Sequence, residues 1–164
     1  MTPLNYLADD AASAVSDLLS DEQWDAFDAL SDLEKVQWRY CHADCDDFAM
    51  TLSEITGYPV VAVSSLRRGP LHRLVEAPDG RLLDVMGWVS LEMLKSRYKQ
   101  KSLEVFQAGC LYGATAESDD DLLPVLETVL QLPYAPFNSA EFQDLVRRFA
   151  YSRKLSLGVD SSAA

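Results

Sequence analysis

Apolar residues recur at three- and four-residue steps early in the chain, where Leu4, Leu7, Ala11, Val15 and Leu18 form a stripe. That spacing keeps side chains on one face of an α-helix, and residues 4 to 39 read as two or three short helices. Ser20-Asp21-Glu22 and Ser31-Asp32-Leu33-Glu34 mark two starts, the second with a glutamate three places after the serine, as a capping box requires. A further stripe, Phe48, Ala49, Leu52 and Ile55, predicts a helix that opens at Cys45 and stops at Gly57. Asp44 is its natural N-cap, and Asp47 takes the third helical position, where the positive end of the dipole favours a carboxylate.

The period then changes. The β-branched run "YPVVAVSSL" predicts a buried strand, and "LHRLVEA" and "RLLDVMGW" predict a strand pair around Pro78-Asp79-Gly80. "SLEMLKSRYKQ" reads as a helix, "SLEVFQA" as a strand, and "DDDLLPVLETVLQL" and "NSAEFQDLVRRFAYS" as two more helices. The expected fold is α+β, a small antiparallel sheet with helices packed on it. Residues 1 to 157 are expected to form one domain and the small-residue stretch 158 to 164 a flexible tail, with no internal repeat and no nucleotide-binding glycine loop.

Turn chemistry fixes the register of the strand pair. Pro78 and Asp79 suit the centre of a type I turn, and Gly80 the left-handed position that completes a three-residue loop with a bulge. Ala77 then faces Arg81, Leu74 faces Asp84, and His72 faces Met86. His72 and Asp84 become diagonal neighbours on one face of the sheet. A two-residue Asp79-Gly80 loop would put them on opposite faces.

Charge adds a regional bias to this pattern. The chain of 164 residues has a net charge of −12. Residues 1 to 57 hold 13 Asp or Glu against Lys35 and Arg39, which is −11, so the remainder carries −1. Such a surface repels nucleic acid and anionic membrane, and suits a basic protein partner. No run of signal-peptide or membrane-spanning length is present, so a cytoplasmic protein is expected. Three cysteines, an odd number, argue against a disulfide framework and for reduced thiols.

One of those thiols opens a helix. A cysteine there has a stabilised thiolate, and an imidazole held by a carboxylate can move a proton during acyl transfer. In the order Cys45, His72, Asp84, the segments "DCDDFAMTL", "GPLHRLV" and "GRLLDVMGW" resemble the papain-like and transglutaminase-like cysteine enzymes, over residues 37 to 88. The Cys-Gly-Ser-Cys-Trp signature of papain is absent, and the layout is nearer the transglutaminase-like branch. The resemblance implies a nucleophile at Cys45, a base at His72, an orienting residue at Asp84, and a core of that family with added N- and C-terminal helices. It implies no cofactor. Gln37 becomes the candidate second oxyanion donor beside the Cys45 N–H, with Trp38 or Tyr40 as substitutes.

Other residues join as candidates. Arg67, Arg68 and Arg73 flank His72 and suit an acidic substrate segment, while Trp38, Trp88 and Tyr112 could line a cleft. Cys41, His42 and Cys45, with His72 or Cys110, are zinc-ligand types, but no second paired half follows and no metal is expected. Cys41 is the lesser candidate nucleophile, since no helix begins at it. Asp44, Asp46 and Asp47 work against activation: a carboxylate facing the sulfur would make a poor nucleophile. The expected function is cysteine-dependent acyl transfer on a protein or peptide amide, by a protease, deamidase or transglutaminase-like enzyme. The small size and added helices fit a specialised phage or bacterial effector. The alternative is a non-catalytic acidic protein that engages a basic partner as a mimic of nucleic-acid charge.

Overall fold

The computed structural model describes residues 3–107, 122–132 and 135–156. Four helices come first: α1 (Leu4–Val15), α2 (Asp21–Asp28), α3 (Asp32–His42) and α4 (Cys45–Thr56). Both α2 and α3 begin with a complete capping box, Ser20 with Gln23 and Ser31 with Glu34. α4 stops at Gly57, whose φ of +76° is the left-handed conformation expected of a glycine stop. Its start departs from expectation. The Asp44 side chain makes no cap hydrogen bond, because its carboxylate is taken at 2.7 Å by Arg39 Nε.

Five strands follow the period-two segment, β1 (Val60–Ser65), β2 (Gly69–Glu76), β3 (Leu82–Asp84), β4 (Gly87–Val89) and β5 (Glu104–Gln107), with α5 (Leu91–Tyr98) between the last two. They form one antiparallel sheet in the order β4-β3-β2-β1-β5. The helices α6 (Leu123–Val129) and α7 (Ala140–Ser156) complete the seven α-helices among the described residues. The fold is therefore α+β with an open antiparallel sheet. The expected tail at 158 to 164, Cys110 and Tyr112 lie outside the described residues, as does the first part of the helix expected at 119 to 132.

The segment expected as a single strand, 81 to 88, is two short strands. Asp84 causes the break: its Oδ1 accepts the Met86 N–H at 2.8 Å, an Asx turn that reverses the chain, and Gly87 at φ +88° completes the reversal. The preceding hairpin keeps the expected three-residue loop. Ala77 N–H donates to Arg81 O at 2.8 Å, Gly80 N–H donates to Ala77 O, and Gly80 has φ +88°. The register is Val75 with Leu83 and Glu76 with Leu82.

Alternation then separates two apolar layers. Val75 and Leu83 lie in a large cluster with Tyr40, Phe48, Leu52, Leu126 and Phe142 from the helices. Val61, Val63, Leu74, Leu82 and Leu94 form a smaller cluster on the other face, beneath α5. His72 and Asp84 share the alternation of Leu74 and Leu82, so they sit on the α5 side.

Candidate active site

His72 is held from three directions. Its strand partner is Val63, and a β-bulge just beyond, where Ser64 pairs with Pro70, leaves Leu71 as the extra residue. A bulge bends a strand and re-aims the adjacent side chain. His72 and Asp84 are each only 2% exposed, and Nε2 lies 2.8 Å from Asp84 Oδ2. Arg97 of α5 places Nη1 at 2.8 Å from the same oxygen.

These contacts define the protonation pattern. Burial raises the Asp84 carboxyl, but the hydrogen bond and charge of His72, with the charge of Arg97, outweigh it and hold the carboxyl below its ordinary value. Burial lowers the Arg97 guanidinium, yet the Asp84 charge leaves it above its ordinary value. An ionised carboxylate only accepts hydrogen bonds, so the imidazole nitrogen facing it must carry hydrogen. In a neutral ring Nδ1 is then the basic nitrogen. Nδ1 is buried and makes no hydrogen bond among the described residues.

The third expected member stands apart. Cys45 opens α4, and its Sγ lies 3.6 Å from Asp46 Oδ1 as a thiol donor. Burial pushes the thiol up to about 11, opposed by the main-chain N–H of Arg73 beside the sulfur and reinforced by the Asp46 carboxylate. Asp46 in turn pairs with Arg73 Nη1 at 2.7 Å, and Arg73 alternates with His72 onto the α4 side of the sheet. The structure thus unites His72 with Asp84 and leaves Cys45 unbonded to His72 Nδ1, against a residue adjacent to His72 in sequence. A carboxylate does face the sulfur, the condition under which the resting thiol is a poor nucleophile.

Cys41 is nearer the charged pair but sealed. It is 4% exposed, and burial, with the Asp84 charge, pushes its thiol up to about 12. Among the described residues no three metal-ligating side chains converge, so Cys41, His42 and Cys45 do not form the considered zinc set. Gln37 is buried one helical turn before Cys41. Trp88 does not face the pair: it is opposite Leu83 in the β3–β4 ladder, on the side away from Asp84, and the Arg81 guanidinium covers it at 4.1 Å. Arg67 and Arg68 are exposed in the β1–β2 turn.

Sequence reasoning missed Arg97, Tyr98 and the position of His42. Rings succeed one another at 5.6 Å or less from Trp24 through Phe27, Trp38, His42 and Tyr98 to His72. Tyr98 also donates from its hydroxyl to Cys41 O at 2.6 Å, tying α5 to the end of α3. Burial, with the charges of Arg97 and His72, pushes the His42 imidazole down to about 4. Only the basic last turn of α5 could have signalled Arg97. Comparison of the chain with protein-family models, curated proteins and solved structures gives no match.

Proposed function

We propose that the protein is a cysteine-dependent acyl-transfer enzyme of transglutaminase-like or papain-like type, acting on a protein or peptide amide. Cys45 attacks the carbonyl, His72 takes and returns the proton through Nδ1, and Asp84 fixes the ring. One observation carries this reading: a buried His72–Asp84 pair, braced by Arg97, whose remaining imidazole nitrogen has no hydrogen-bond partner among the described residues. A buried polar atom left unpaired is costly and calls for a role.

The reading requires Cys45, which lies against Arg73 on the α4 face of β2 while His72 lies on the α5 face, to leave Asp46 and reach Nδ1 through a shift of the start of α4 on substrate binding. Catalytic hydrogen bonds are often long before substrate arrives. Attack forms an Sγ–carbon bond, the displaced amine takes the proton from His72, and the thioester passes to water or another acceptor. The Cys45 N–H supplies one oxyanion donor, and Gln37 is the proposed second.

The test is the pH dependence of Cys45 alkylation by iodoacetamide, located by mass spectrometry, in the wild type and in His72→Ala. The expected result is a thiol that titrates above the ~8.5 of a free cysteine in both resting proteins, with alkylation at neutral pH markedly faster in the wild type, where the imidazole can take the thiol proton as the reagent is attacked. Equal alkylation rates in the two proteins at neutral pH sink the reading. The acidic-binder alternative has its own support, since Arg39 is tied to Asp10 and Asp44 and Lys35 to Asp28, leaving the other carboxylates of the first helices in excess. Charge reversal across positions 21 to 34 should abolish such binding and spare the chemistry, while Cys45→Ala should do the opposite.

A further inference from the structure

We propose that the cleft between α2, the β1–β2 turn and the end of α5 binds an acidic peptide segment carrying a large apolar side chain, and that this is the substrate class of the site. The substrate assignment rests on the acyl-transfer reading; the binding itself does not.

Two adjoining cavities of about 490 and 560 Å3 share Arg68 and Lys99 as lining residues. One wall is basic: Arg97 reaches the first cavity, while Arg67 and Lys101 join at the second. No carboxylate among the described residues lines either one, although the chain carries 26 Asp or Glu against 14 Lys or Arg. The side chains of Arg67, Arg68, Lys99 and Lys101 form no ion pair among the described residues, in contrast to Arg39, Arg73, Arg81 and Arg97. Four unpaired cations collected in a strongly acidic molecule form a field that attracts anions.

The opposite wall of the first cavity decides which anion. Leu19, Ala26, Phe27, Leu30 and Trp38 line it, an apolar surface suited to a hydrophobic side chain. α2 carries Asp21, Glu22, Asp25 and Asp28 on its remaining faces, which would repel the continuous phosphates of a nucleic acid. A peptide can present carboxylates to one wall and an apolar group to the other. The cleft also adjoins the candidate site, since Arg97 bonds Asp84 and Tyr98 packs 5.6 Å from the His72 ring.

The experiment uses Cys45→Ala protein, so that nothing turns over, and fluorescence anisotropy of a short dye-labelled peptide with two glutamates on one side of a single phenylalanine and neutral residues on the other. Binding should weaken with added salt, and Arg68→Glu should lower affinity by about five-fold, the upper range for one exposed ion pair. Arg67→Glu and Lys101→Glu, at surface positions, repeat the measurement where Arg68→Glu disturbs the turn. Equal binding of the glutamine analogue, indifference to all three reversals, or tighter binding of a single-stranded oligonucleotide would overturn the proposal. The two readings fail separately: peptide binding beside an inert Cys45 removes only the chemistry, and a reactive Cys45 without peptide binding removes only the substrate class.

Discussion

Asp84 is the residue on which the candidate site turns. Its Oδ2 receives His72 and Arg97, and its Oδ1 holds the turn that ends β3. Removing Arg97 leaves a buried carboxylate short of a counter-charge, a loss that costs about 3 kcal/mol in comparable buried pairs. Arg97→Met should therefore lower the urea midpoint, and should shift the imidazole signals of His72 in NMR as Asp84 loosens. A stability loss without movement of those signals would make Arg97 a packing residue only. The pH dependence follows from the lowered carboxyl. Its stabilisation is present above the ordinary value of 3.8 and is lost as pH falls through the lower folded value. Asp84→Asn should be less stable near neutrality but flatter across that acid limb.

At the scale of elements, the hairpin loop makes the pairing possible. With alternation of period two, one residue more or less in the loop would carry Asp84 to the other face. Gly80 is the control point, because its φ of +88° is strained for any residue with a Cβ. Gly80→Ala should cost about 1 kcal/mol in a urea titration, and replacing the loop by a two-residue Asn-Gly turn should abolish the His72–Asp84 coupling seen in the imidazole signals. Proline and glycine chemistry made this register legible in the sequence. The Asx turn at Asp84 was less so: Asp84 and Gly87 offered a turn signal inside an apolar run that favours a continuous strand. The Asp44 cap failed because Arg39, a helix earlier, competes for the same carboxylate. Arg97 and Tyr98 were invisible because their positions depend on how α5 docks, a long-range fact that no local spacing contains.

For the whole molecule, the uneven charge governs both stability and what the cleft attracts. Residues 1 to 57 hold 13 carboxylates and two cations, and both cations are used as ties: Arg39 joins α1 to the start of α4, and Lys35 joins α3 to the end of α2. The untied carboxylates repel one another across exposed helix surfaces, while the ties are partly shielded by their surroundings. Salt therefore screens the repulsion more than the ties. Raising ionic strength from about 0.01 to about 0.1 M shortens the Debye length from about 30 to about 10 Å, and the thermal midpoint should rise over that interval. The same screening weakens attraction of an acidic peptide to the Arg67–Lys101 wall, so stability and peptide affinity should move in opposite directions along one salt series. A midpoint that falls with salt would show that the Arg39 and Lys35 ties outweigh the repulsion. In that case Arg39→Met should remove the fall, which calorimetry of the two proteins at both salt concentrations would read directly.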